Sequence, residues 1–180
     1  MKNFKWPVAL LIFVSAFALL AGGITLRQRN LINKPLLERL NDLEQIKTAQ
    51  LAKEDGIHMI SVNPADVSDF ANLYIEIDDI ASSALGNGNY RIKISDNRNE
   101  TLIKAYSIAH LALYEAQRRG NFTDMAEKVN ATMTQFSISE YSIAVDGDRI
   151  YFSAQSGEHY LYEVIYGLSG QKKEVSSYDA

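Results

Sequence analysis

No cysteine occurs in the 180 residues, which excludes disulfides, thiolate nucleophiles and Cys-ligated zinc or iron–sulfur centres together. Strong charge of one sign is also missing. Eighteen basic against 22 acidic side chains give a net charge of −4, so there is no general electrostatic pull toward nucleic acid or an anionic membrane surface. The chain further lacks G-x-G-x-x-G, P-loop, G-x-S-x-G and H-E-x-x-H patterns, and with them the commonest nucleotide, acyl-transfer and metalloprotease chemistries.

What the chain does have is one long uncharged run. Val8 to Leu26, about 19 residues, is long enough to cross the hydrocarbon core as a helix. Lys2, Lys5 and Trp6 precede it and Arg27 and Arg29 close it, as interfacial aromatic and cationic residues bound a spanning segment. The alternative is a cleaved signal peptide, with small residues at Ala16-Phe17-Ala18 and Ala21-Gly22-Gly23, but the run exceeds an ordinary signal core and ends directly in arginines. Leu20-Ala21-Gly22 leads to Gly23 rather than to a lipoprotein cysteine.

Orientation sets two arguments against each other. Lys2, Lys5 and the amino terminus face Arg27, Arg29, Lys34 and Arg39, a tally that slightly favours a cytoplasmic C-terminal part. A minimal N-terminal tail ahead of one anchor argues the other way, and the expectation is a single-pass chain with its C-terminal domain outside the cytoplasm. The organisation expected is a tail at 1–7, a transmembrane helix at 8–26, an amphipathic juxtamembrane helix within 27–56, and a soluble domain at 57–180 with one sizeable core.

Within that linker, Leu36, Leu40, Leu43 and Ile46 recur every three or four residues, which predicts a helix over Leu31 to Glu54 opened by Pro35 and ended by Gly56. It either self-associates as a short stalk or lies on its own domain, and the stretch falls short of the three to four heptads of a coiled coil. Ile57 to Val62 reads as a strand that stops at Asn63-Pro64. Ala65 to Leu85 reads as a core helix that the same pair caps and opens, ended by Gly86 and Gly88. Tyr90, Ile92 and Ile94 alternate as a strand.

Thr101 to Arg119 predicts a helix with Ile103, Tyr106, His110, Leu113 and Tyr114 near its core stripe, ended by Gly120. Asn121 caps a shorter helix, Phe122 to Gln135. Three apolar alternations then predict an antiparallel meander. A loop at Asp146-Gly147 sets Ile143 opposite Ile150, and a three-residue loop ending at Gly157 sets Phe152 opposite Tyr160 and Ile150 opposite Tyr162. Gln171 to Tyr178 is a fourth, edge-like segment. The fold class expected is α+β, with helices packed on one face of the meander.

The titratable groups do not converge in sequence. His58, His110 and His159 have no metal-ligand spacing. His110 reads as a hydrogen-bonded core histidine and His159 as a solvated pair with Glu158. Asp146-Gly147-Asp148 lacks the further oxygens of a calcium loop and reads as a turn, and Glu76, Asp78 and Asp79 read as a solvated helix face. No catalytic, cofactor-binding or metal residue is therefore assigned, and no cofactor is expected.

The ending EHYLYEVIYGLSGQKKEVSSYDA is similar to the strand, turn and strand of PepSY-type domains over this short C-terminal part, which would imply a peptide- or small-ligand-binding sensor or inhibitor. The order of helices then sheet resembles the NTF2-like outline, and an apolar helix running into an amphipathic one resembles the pilins, though Lys5-Trp6-Pro7 stands where their processing site would be. The function expected is a non-enzymatic protein-binding or assembly module of the cell envelope. Its partners are the membrane through 8–26, an envelope protein or a second copy through 31–54, and no nucleic acid.

Overall fold

Asp55 and Gly56 both have positive φ, 48° and 84°, the geometry of a type I′ turn, and they join β1 (Ile46–Glu54) to β2 (Ile57–Pro64) as an antiparallel hairpin. The helix expected over 31–54 is therefore not one element. It ends at Asn41, as α1 (Lys34–Asn41) with Pro35 in its first turn, and Ile46 is buried from a strand. The 3.6-residue spacing ran on through Leu43 and Ile46 only because strand and helix bury the same core. Leu36, Leu40, Ile46 and Ala49 all pack with Ile60 and Val62, so the stretch expected to link anchor and domain spends its apolar stripe inside the domain. Asn41 Oδ1 accepts a hydrogen bond from the Ala49 amide at 2.8 Å and holds the end of α1 on β1.

The computed structural model describes residues 13–15, 17, 32–65 and 69–167. β2 ends at Pro64, and the next helix, α2 (Phe70–Leu85), is capped by Asp69, whose Oδ1 accepts from the Asn72 amide at 3.2 Å. Asn63-Pro64 therefore closes a strand rather than opening a helix. Gly86, at φ 79°, ends α2 as expected, and β3 (Tyr90–Ile94) returns parallel to β2, with His58 beside Tyr90 and Val62 beside Ile94. The first sheet thus has the order β1-β2-β3.

Two helices follow with little departure from the sequence pattern. α3 (Glu100–Arg119) starts under Asn99, which accepts from the Leu102 amide at 2.9 Å, and stops at left-handed Gly120. α4 (Phe122–Gln135) packs against it, but Asn121 makes no capping hydrogen bond to its amides; Asn121 Nδ2 instead donates to the Asp124 carboxylate at 3.1 Å.

The second sheet is the meander β4 (Glu140–Asp146), β5 (Arg149–Ser156) and β6 (His159–Tyr166). Both expected registers are corrected. The β4–β5 loop is Gly147-Asp148, so Ile143 faces Phe152 and Val145 faces Ile150, two residues away from the expected pairing. The β5–β6 loop is Gly157-Glu158, so Phe152 faces Glu163, Ile150 faces Ile165 and Tyr160 faces Gln155. Both loops open on a glycine with positive φ, 52° and 63°, which suits the type II′ geometry.

The second shift turns β6 over. Leu161 and Ile165 lie with Ile150 and Phe152 under α3 and α4, whereas Tyr162 lies with Tyr151 against Phe70 and Tyr74 of α2. Burial could not select the register, because this sheet is covered on both faces and either parity buries an apolar set. The fold is α+β in layers: the first sheet, then α1 and α2, then the second sheet, then α3 and α4. Helices cover both faces of the meander, not one.

Among the described residues no helix is long and apolar enough to cross a membrane. The expected span 8–26, apart from Phe13, Val14, Ser15 and Phe17, lies outside the described residues, as does the expected edge strand Gln171 to Tyr178.

Candidate functional site

Three places bring side chains together, and the first lies where α2 meets both sheets. Asp78, expected on a solvated face, is instead shared: the Tyr90 hydroxyl donates to one carboxylate oxygen, and Arg149 Nη1 donates to the other at 2.7 Å. Arg149 Nη2 also reaches Asp146 at 3.3 Å, and the guanidinium stands 5.5 Å from the Tyr151 ring centroid, within cation–π range. One arginine thereby ties α2, β4 and β5. Burial pushes the Tyr151 hydroxyl up to about 12, against the pull of Arg149. Burial and then the Asp78 hydrogen bond push Tyr90 higher still. Phenols held this far above neutrality are not bases or nucleophiles at ordinary pH, so the cluster is a fastening.

A pH dependence follows from these shifts. The folded state keeps the Tyr151 proton up to about pH 12, whereas an unfolded tyrosine releases its own near 10. Stability is therefore intact below about pH 10 and falls as pH rises from there through the folded value. Denaturant midpoints measured from pH 8 to 11.5 should decline, with Tyr151→Phe removing part of the slope and Tyr90→Phe another part. Identical slopes in all three proteins would rule these phenols out as the cause.

The second place is a cleft of about 190 Å³ between β3 and β6, with Phe70 and Tyr74 of α2 joining Ile92, Ile94, Tyr162 and Tyr166. The Tyr74 and Tyr166 hydroxyls bond each other, and Phe70 stacks on Tyr162 with centroids 4.9 Å apart. Arg98 is engaged by Asp96 and, at 3.0 Å, by Glu163. Burial lifts the Glu163 carboxyl above its usual range even though Arg98 pulls it down. The volume is below the roughly 300–1,000 Å³ of small-molecule sites, and the charged groups are satisfied among themselves. Alternation along the meander predicts Tyr160, Tyr162 and Tyr166 inside and Tyr151 outside; Tyr162 and Tyr151 are both buried, on the face toward α2, and Tyr160 and Tyr166 are half-buried.

The histidines stand on three separate elements. His58, on β2, is 8% exposed with Nδ1 3.3 Å from the Asn89 carbonyl. His110, on α3, has Nδ1 3.2 Å from its own helix's Tyr106 carbonyl and lies beside the rings of Tyr106 and Tyr114, so it is hydrogen-bonded as expected but half-buried rather than core. His159 bonds the Asn97 carbonyl at 2.8 Å and not Glu158. Asp146-Gly147-Asp148 is the turn expected, its Asp148 carbonyl taking hydrogen bonds from Gly167 and Gln117. Among the described residues no three His, Asp or Glu side chains are grouped to hold a metal ion.

The third place is the outer surface of α3. Its buried stripe is Leu102, Ala105, Tyr106, Ala109, Ala112, Leu113 and Ala116, so alanines spaced by three and four form much of the seam with α4 and the second sheet. Small residues let those elements approach closely and leave the larger ones outside. Ile103 is 49% exposed, Ile108 46%, Leu111 65% and Tyr114 42%, which corrects the expectation that Ile103 and Tyr114 are core. Beside them α3 and α4 leave a groove of about 360 Å³, lined by Ile108, Leu111, Ala112 and Ala131 and crossed by the 3.3 Å Glu115–Lys128 ion pair. The alanine spacing was the signal in the sequence that could have placed this face outside.

No protein-family model matches the chain, no curated protein is significantly similar to it, and no solved structure matches its fold.

Proposed function

We propose that residues 8–26 anchor the chain in a membrane and that its α+β domain, on the extracytoplasmic side, is a non-enzymatic protein-binding or assembly module of the cell envelope. The outer face of α3 carries this reading, because Ile108, Leu111 and Tyr114, spaced by three on one helix, are large apolar side chains exposed beside one another, as at partner surfaces, with exposed Ile103 nearer the helix start. Scattered single exposures would need no explanation; neighbours three residues apart, such as Ile108, Leu111 and Tyr114, do. The first half of the proposal rests on the uncharged run Val8 to Leu26, bounded by Trp6 and by Arg27 and Arg29.

Two measurements test it. A photoreactive amino acid at Leu111 in intact cells should give a covalent protein adduct, and the same probe at exposed Lys53 on β1 should not. Leu111→Asp should abolish the adduct formed from a probe at Ile108 while changing folding stability by less than about 0.5 kcal/mol. Absence of an adduct at both α3 positions would overturn the docking role. In parallel, Ala126→Cys, exposed on α4 in a chain without native cysteine, should react with a membrane-impermeant maleimide once the outer barrier is opened and before the anchor membrane is lysed. Labelling only after complete lysis would place the domain in the cytoplasm.

A further inference from the structure

The charges that flank the apolar face of α3 follow the same order at both ends of the helix, acid before base. Toward its N-terminus Glu100 precedes Lys104; toward its C-terminus Glu115 precedes Arg119. Each couple is an i,i+4 ion pair, at 3.2 Å and 2.6 Å. Glu100, Lys104 and Arg119 keep 89%, 66% and 72% of their side chains exposed, so their outer sides remain open to a second partner.

Consider a second α3 laid antiparallel on the first, with the two-fold axis between Ala109 and His110. Glu100 then stands opposite Arg119 of the second copy, Lys104 opposite Glu115, and Ile108 opposite Leu111. Both couples thus meet opposite charges, with Glu115, 33% exposed, also holding Lys128 of its own chain, while Arg118 falls opposite Thr101 and the two most central exposed apolar residues meet each other. The antiparallel setting also opposes the helix dipoles favourably. Two other settings oppose like charges. A parallel pair in register brings Lys104 against Lys104 and Glu115 against Glu115, and moving the axis to Leu111 brings Lys104 against Arg118.

We infer that the partner on the α3 face is a second copy of this chain, paired through α3 as an isologous, antiparallel two-fold interface. This rests on the docking role proposed above and names its occupant. α3 has 20 residues, about 30 Å of helix, so one face of it falls short of the roughly 800 Å² per partner of a standard interface. The association is accordingly weak for free chains and depends on tethering in one membrane, which raises the effective concentration of each copy for the other. Ion-pair complementarity then chooses the partner and the register more than it adds affinity.

The test uses the full chain in its membrane. Ser107, exposed on the same face, is changed to cysteine as a reporter, and a bis-maleimide should link Ser107→Cys chains into a dimer. Lys53→Cys chains should stay monomeric. Added to the reporter, Lys104→Glu alone or Glu115→Lys alone should lower the linked fraction about tenfold, because each homodimer then opposes two pairs of like charges. Co-producing the two variants with different tags should restore linkage between tags, since both opposed pairs become attractive again. Glu100→Lys with Arg119→Glu repeats the exchange at more exposed positions and covers the case in which Glu115→Lys disturbs folding.

Linkage indifferent to all four charge changes, or mixtures that fail to restore it, would overturn the antiparallel pairing. A Leu111 adduct with some other protein, together with no reporter dimer, would overturn the second copy as occupant and leave the docking role standing. No adduct and no dimer would overturn both.

Discussion

Phe152→Ala is expected to remove about 3–5 kcal/mol of stability, the range for deleting a buried aromatic ring and leaving its cavity. Phe152 is fully buried on the central strand of the second sheet, stacked 5.9 Å from Tyr106 of α3 and flanked by Ile143 and Glu163. Sheet and helices hold that space open from three sides, so little collapse can fill it. Against the roughly 5–15 kcal/mol of a typical domain, such a loss leaves the chain close to its unfolding threshold. Urea unfolding followed by circular dichroism measures it, with Val145→Ala as the contrast. Val145, on the neighbouring strand β4, lies on the same sheet face but is 42% exposed, and its truncation should cost less than about 1 kcal/mol. A Phe152→Ala cost below that of Val145→Ala would mean that the second sheet does not pack under α3 through this residue.

Removing the arginine that joins the layers should have the next largest effect. Arg149→Ala deprives Asp78 of its 2.7 Å partner while Tyr90 still holds the carboxylate in place. Breaking a fully buried pair costs about 3–5 kcal/mol, but Arg149 and Asp78 retain 22% and 31% side-chain exposure, so about 2 kcal/mol is expected here. Asp78→Asn should cost less, since its amide oxygen can still accept from Tyr90. Combining the two should recover part of the loss, because the double variant no longer leaves a charge without its counter-ion. Strict additivity in that cycle would show that the pair contributes nothing beyond its separate contacts. Arg149→Lys should recover less than half of the Arg149→Ala loss, because one ammonium cannot span Asp78 and Asp146 in a planar fork.

The local signals in the chain were read correctly where one rule acted alone. Gly120 ends α3, Gly86 ends α2, and Tyr90, Ile92 and Ile94 form a strand, because each depends on neighbours in sequence. Asp55-Gly56 shows a local signal that was present and outvoted. Read as a helix end, it was in fact the hairpin dipeptide, and the leucine spacing before it was given more weight than the turn chemistry. α3 failed in a different way. Size alone points to the large apolar residues as the buried ones, whereas a seam built on Ala105, Ala109, Ala112 and Ala116 buries small residues and turns Ile103 and Tyr114 outward. The docking face was therefore legible only after the alanines had been assigned to the core.

By itself the sequence determined the α+β class, the helices α2 and α3 with their glycine stops, the helix α4, the existence of a three-stranded meander, and the absence of thiol chemistry. These follow from periodicity, capping and composition, which act over a few residues. Tertiary structure alone decided which strands share a sheet, the registers of the meander, the parallel return of β3 beside β2, and the joining of Asp78 to Arg149 across 71 positions. The physical reason is that the meander is buried on both faces. Either register hides an apolar set, so the choice falls to what packs opposite: alanine-seamed α3 on one side, and Phe70 and Tyr74 of α2 on the other.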